Sequence, residues 1–179
     1  MDYELLKNGN VKVGEKISNF IANSTKGIIE LEKTKTNILL FSYKEDFYNI
    51  AELEIIELQK NKKTFEHLKT EIILMTSGNL LSHYAWIENI KYKTGIEIEF
   101  PIIEDRIGEQ CRKYGMCSKE NNNQILNKAI LINQEKIVTG ILEYPNTIPR
   151  NVYEIIRVLN FQQMYCEILR KKVFYGITN

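Results

Sequence analysis

Residues 37–54 read NILLFSYKEDFYNIAELE. The first seven, Asn37 to Tyr43, form a nearly unbroken apolar run of strand length, rich in Ile and Leu. A run of this kind, without polar alternation, marks a strand covered on both faces. Charged and polar residues from Lys44 to Asn49 break the run. Beyond them the period changes, because Ala51, Ile55 and Leu58 recur at the i, i+4, i+7 spacing of a helix. A covered strand, a short polar turn and a helix together make the first half of a parallel crossover.

The same signature returns along the chain. Glu71 to Met75 (EIILM), Lys128 to Asn133 (KAILIN) and Ile137 to Leu142 (IVTGIL) have strand length and strand chemistry. Leu80, Tyr84 and Ile87 repeat the helical spacing. Val152, Ile155, Ile156 and Leu159 form a stripe at i, i+3, i+4, i+7, with Pro149 placed where a helix start tolerates it. Only Gln134 to Lys136 separate the last two strand-like runs, which therefore read as a hairpin. The expected fold is α/β, a mixed central sheet flanked by helices, in one domain over residues 1–179 with 164–179 as a short C-terminal tail. Several α/β folds share this element order, a thioredoxin-like fold among them.

Composition narrows the classes of function. With 179 residues, 44% hydrophobic and 26% charged, the chain can build a substantial core without disulfide or metal support. A net charge of +1 offers no global attraction to nucleic acid or to an anionic membrane. Met1-Asp2-Tyr3-Glu4 carries acid early with no apolar run behind it, which argues against a signal peptide, and no stretch is long enough to span a bilayer. Three cysteines leave one over from any intramolecular pairing, so reduced thiols in a cytoplasm are expected. Heavy use of Ile, Lys, Asn and Tyr suits an AT-rich bacterial genome.

Specific strings sharpen the fold. Residues 13–20 (VGEKISNF), 82–86 (SHYAW), 93–105 (KTGIEIEFPIIED) and 144–157 (YPNTIPRNVYEIIR) occur in this order. Together they resemble the conserved segments of the peroxiredoxins, nearest their single-cysteine and archaeal-type branch, over roughly residues 11–163. The resemblance implies a thioredoxin-like fold and the chemistry of a thiol peroxidase. In that family a P-x-x-x-T-x-x-C motif sits at a strand end and helix start, and its cysteine thiolate attacks the peroxide. A helix N-terminus and a neighbouring arginine favour the thiolate at neutral pH. The threonine and the arginine hold the peroxide in line for attack.

Matched onto this chain, the motif is degenerate. Asp46, Phe47 and Glu54 fit it, but Lys44 replaces the proline, Tyr48 the threonine and Ala51 the nucleophile. Asn127 stands where the resemblance implies an arginine before the third core strand, with Lys128 next to it, while a second arginine is kept as Arg150 after Pro149. Alanine has no lone pair and cannot replace a thiolate in this reaction. The resemblance therefore implies a protein lacking the peroxidatic cysteine, with a non-catalytic role in binding or assembly and no cofactor. It implies a homodimer or larger homo-oligomer formed through the strand at 137–142, with an active peroxiredoxin paralogue as a further candidate partner. The alternative is a thiol-dependent peroxidase, either because Ala51 is an engineered replacement of a cysteine or because Cys111 and Cys117 have taken over. The three other altered positions speak against engineering, which would change the cysteine alone.

Each remaining candidate has two readings. Asn49 is placed to cap the following helix, with Glu52 three residues on as in a capping box, or to contact a ligand. Cys111 in an apparent helix over 109–114, Cys117 beyond it and Cys166 near the C-terminus are incidental thiols, unless the first two form a relocated redox pair. Arg150 is a small-anion or metabolite ligand, or a structural donor to Glu54 or the helix start. His67 and His83 have no ligand-type partner at metal-binding spacing, so no metal site is expected. Lysines 60, 62, 63, 171 and 172 lack the interleaved aromatics of a single-strand nucleic-acid surface.

Overall fold

The structure is a computed structural model that describes residue 9, residues 11–118 and residues 124–174. Its elements are β1 (Ile21–Ser24), β2 (Gly27–Glu30), β3 (Asn37–Ser42), α1 (Asn49–Lys60), α2 (Lys62–His67), β4 (Thr70–Met75), α3 (Leu80–Thr94), α4 (Glu109–Lys113), β5 (Asn127–Ile132), β6 (Val138–Tyr144) and α5 (Val152–Phe174). The main sheet has the order β4-β3-β5-β6. The crossover through α1 makes β3 and β4 parallel, with Leu40 opposite Ile73. β5 runs antiparallel to both β3 and β6, so the last two strands form the hairpin that their short connection demands.

Both faces of this sheet are buried, and alternation along each strand sorts the side chains. Leu39, Phe41, Ile72, Leu74, Ala129 and Leu131 point to one face, where Ala51, Ile55, Trp86, Ile90, Ile155 and Leu159 of α1, α3 and α5 cover them. Ile38, Leu40, Ile73, Met75, Ile130 and Ile132 point to the other. There Phe20, Leu31, Tyr114, Met116 and Ile125 complete the second core. Near-continuous Ile and Leu in the strands follows directly from this double covering.

The four expected core strands and the three long helices are all present, with ends shifted by a few residues. The antiparallel β1–β2 hairpin was not expected, because its register of four residue pairs includes the exposed Ile21 and Ile28 and shows no periodic apolar face. At the other end, the helix expected to stop near residue 163 runs on as α5 to Phe174, into the stretch read as a tail. Nothing between Phe161 and Phe174 breaks a helix, and the first glycine is Gly176. Residues 175–179 lie outside the described residues. Among the described residues, no helix is long and apolar enough to cross a membrane.

Candidate functional site

The turn between β3 and α1 is where the sequence places its degenerate motif. Phe47 adopts φ 61°, a left-handed conformation unfavourable for a bulky residue. It swings the chain so that Tyr48, extended at φ −83° and ψ 123°, becomes the N-cap of α1. No side chain caps this helix. The expected Asn49 capping box is therefore absent. Asn49 is already the first helical residue, and a capping side chain must come from the residue before the helix. Glu52, the other half of the expected box, pairs with Lys93 Nζ at 3.0 Å instead.

The residues read as replacements, Tyr48, Lys44, Ala51 and Asn127, have structural partners. The Tyr48 hydroxyl donates to the Asn146 carbonyl at 3.0 Å. Lys44 Nζ lies 4.6 Å from the Tyr48 ring centroid and 3.1 Å from Glu45 Oε1. Tyr48 and Lys44 thus cover one another at the mouth of the turn. Ala51 is 1% exposed and packs in the core. Asn127 opens β5 with its amide nitrogen donating to Asn146 Oδ1 at 2.9 Å. Its side chain is buried with neither polar atom hydrogen-bonded among the described residues. By alternation with Ala129 it lies on the α1 face of the sheet.

Glu54 and Arg150 meet inside the core. Arg150 donates to Glu54 from its backbone nitrogen at 2.6 Å, from Nε at 2.8 Å and from Nη2 at 2.8 Å. Both side chains are fully buried, and the guanidinium carbon stacks 3.4 Å from the Phe41 ring centroid. Burial pulls the Arg150 pKa down, and the Glu54 carboxylate opposes that shift. This forked pairing, 96 residues apart in sequence, makes Arg150 a donor to Glu54, one of the two readings its position left open. It leaves only Nη1 without a hydrogen-bond partner.

A second buried network holds the turn from below. Asp46 accepts from the Tyr43 hydroxyl at 2.9 Å and from the Ser82 hydroxyl at 2.5 Å, and it lies 2.9 Å from His83 Nδ1. His83 Nε2 faces the Ile103 carbonyl at 3.1 Å. Burial, with Asp46 adding to it, pushes the Tyr43 hydroxyl pKa well above its usual value. No spacing rule links Asp46 to Ser82 and His83. Only their presence in two separate family-like strings hinted that they belong together.

Cys111 lies on α4 and Cys117 just beyond it, both buried in the second core. That places them across the sheet from Ala51. Burial raises the Cys111 thiol well above its usual pKa, with Asp105 adding to the effect. Burial pushes Cys117 up to about 11, partly offset by Arg112. Both are protonated at neutral pH, the opposite of what a nucleophilic thiol needs. Cys166 lies on α5, and its side chain is outside the described residues. Among the described residues, no group of three or more His, Cys, Asp or Glu could hold a metal ion. Lys62 pairs with Glu66 at 3.4 Å and with Glu99 at 2.5 Å, and His67 is an exposed helix end.

A mixed sheet between helical layers, with a strand-to-helix turn over a buried Glu–Arg pair, defines a thioredoxin-like α/β protein. The family model that matches is the AhpC/TSA family, over residues 13–141. A peroxiredoxin of Methanocaldococcus jannaschii is 35% identical over 157 residues, which is 85% of this chain and 72% of that protein. A peroxiredoxin 2 of Caldanaerobacter subterraneus subsp. tengcongensis is 35% identical over 154 residues, covering 85% and 70%. Among solved structures, a mutant of the peroxiredoxin 6 of Arenicola marina superposes with a TM-score of 0.81 at 25% identity, covering 88% of this chain and 76% of that one. A yeast mitochondrial 1-Cys peroxiredoxin gives a TM-score of 0.82 at 24% identity, covering 88% and 79%. The chain belongs to the AhpC/TSA family, the peroxiredoxins.

Proposed function

We propose that this chain is a peroxiredoxin without peroxidase chemistry, acting through binding or assembly as a homodimer in a reducing cytoplasm. The observation that carries the reading is Ala51. It occupies the position of the family nucleophile, it is 1% exposed, and it offers neither a lone pair nor access. The rest of the turn agrees with it. Tyr48 and Lys44 cover each other, and Arg150 spends its fork on Glu54. Relocated chemistry at Cys111 and Cys117 is opposed by burial, which keeps both thiols protonated.

The dimer reading is supported by β6, which is an edge strand of the main sheet. An edge of this kind is a liability unless paired or covered. α5 adds an exposed apolar stripe, Phe161, Met164, Tyr165 and Ile168, beyond the part packed on the sheet. An active peroxiredoxin paralogue is a further partner for the same surfaces. Two measurements test the proposal. Thiol-dependent consumption of hydrogen peroxide should be indistinguishable from buffer with thiol. Consumption that disappears in a Cys111→Ser/Cys117→Ser variant would establish the peroxidase reading instead. The mass in solution at micromolar concentration should be that of two chains, and a monomer would remove the assembly half of the proposal.

A further inference from the structure

Four arginines have described side chains, and three of them pair with a carboxylate. Arg106 binds Glu104, Arg150 binds Glu54 and Arg157 binds Glu154. Arg112 differs. It is 6% exposed, its Nε is buried without a hydrogen-bond partner, and its guanidinium makes no ion pair or hydrogen bond among the described residues. A guanidinium does not escape this by losing its proton, because it stays charged in proteins. A buried charge without a partner is strongly unfavourable.

The neighbouring carboxylate is already committed. Asp105 accepts from the backbone nitrogens of Gln110 at 3.2 Å and Cys111 at 2.9 Å, and it forms no ion pair with Arg112. Arg112 does act on its surroundings, favouring the thiolate of Cys117 against the larger effect of burial. Its charge is therefore felt inside the second core, and no contact among the described residues neutralises it.

The guanidinium also has an approach. Gly108 sits at φ +68°, and a Cβ built on it would lie 3.5 Å from Arg112 Nη1, 3.8 Å from Ile125 Cδ1 and 3.9 Å from Ser77 Cβ. With glycine at 108, no Cβ stands against Nη1, and Ser77 and Ile125 border the same edge of the fork. Planar guanidinium donors match two oxygens of one carboxylate or phosphate group, which is the pairing Arg150 and Arg157 obtain within the chain.

We propose that Arg112 is the anchor of a binding site for a small free oxyanion, a carboxylate or an inorganic phosphate, taken up beside Gly108. The site lies across the sheet from the turn of Ala51 and goes beyond the reading of that turn.

The probes are sodium acetate and inorganic phosphate, with sodium chloride at matched ionic strength as control. In nitrogen–proton spectra of the full chain, the Arg112 side-chain resonance should shift saturably with acetate or phosphate and stay in place with chloride. The melting temperature should rise with the same saturation. Arg112→Met should abolish that rise, and Arg157→Met, at an exposed pair, should keep it. In anion-free buffer Arg112→Met should unfold no more easily than the parent, since an apolar side chain of similar length replaces an unpaired charge. The proposal is overturned by any of three results. The first is the absence of a saturable shift up to tens of millimolar. The second is a shift of equal size with chloride. The third is a marked destabilisation of Arg112→Met in anion-free buffer, which would mean that the chain itself neutralises the guanidinium. Arg112→Lys, which keeps the charge but loses the fork, should bind at least tenfold more weakly if two oxygens are held together.

Discussion

The two faces of the central sheet differ in what they bury: a Glu54–Arg150 pair beside Ala51 on one, and two thiols on the other. On the α1 face stands the scaffold: a helix start, a buried Glu54–Arg150 pair and Asn127 nearby, but alanine at position 51. On the opposite face stand two sulfur atoms, Cys111 and Cys117, in an apolar core that keeps them protonated. The difference teaches that a thiol's chemistry belongs to its environment. A sulfur whose burial outweighs the pull of a nearby cation, as at Cys117 beside Arg112, is a small core hydrophobe. A helix start without a sulfur becomes ordinary packing.

Cutting the ion pair on the scaffold face should produce the largest effect. Arg150→Ala leaves Glu54 buried and unpaired, which costs about 3–5 kcal/mol in comparable cases. It should show as a large fall in the denaturant midpoint. Glu154→Ala, which cuts an exposed pair on α5, should leave the midpoint unchanged within error. Equal effects from the two would mean that the buried pair is no structural keystone.

The comparison is sharpened by returning sulfur to the scaffold. Ala51→Cys would regain the helix N-terminus, worth only about 0.3–1 kcal/mol at exposed sites. That is less than one pKa unit, about 1.4 kcal/mol. The position is buried, and Arg150 is occupied by Glu54. The introduced thiol should therefore react with hydrogen peroxide at nearly the rate of free cysteine. Adding Lys44→Pro, Tyr48→Thr and Asn127→Arg should raise the second-order rate constant by orders of magnitude. A single mutant already as fast as an intact peroxiredoxin would show the turn to be still preorganised.

On the thiol face the expected effects are smaller and depend on pH. The folded Cys117 pKa, about 11, lies above the ordinary 9.0. The protonated thiol is thus favoured in the folded state, and its contribution to stability is complete below pH 9 and lost between pH 9 and 11. Cys117→Ser should flatten the alkaline fall of the denaturant midpoint over that window. Alkylation of the native protein at neutral pH should be slow at both Cys111 and Cys117, and it should accelerate only under denaturant. Rapid native-state labelling of either would contradict the buried geometry.

How much of this was legible in the sequence varies by element. The four core strands were readable because a doubly covered strand must be continuously apolar, and the long helices because their stripes keep a fixed period. Ala51, Tyr48, Lys44 and Asn127 could be proposed as the motif positions because the family-like strings on either side set the matching. The β1–β2 hairpin, the length of α5 and the missing Asn49 cap could not. They depend on where the chain turns: Phe47 is left-handed and α1 starts at Asn49, one position before the expected cap would place it.

By itself, then, the sequence determined the order of elements and the family, and it proposed Ala51 as the residue at the nucleophile position. Those depend on local periodicity and on strings of adjacent residues. Only the tertiary structure decided that Glu54 holds Arg150 across 96 residues, that Asp46 gathers Tyr43, Ser82 and His83, and that the two thiols lie on the opposite sheet face from Ala51. Pairing over such separations leaves no periodic trace in a sequence. It arises because burying a charge or a hydroxyl is tolerable only when folding delivers its partner.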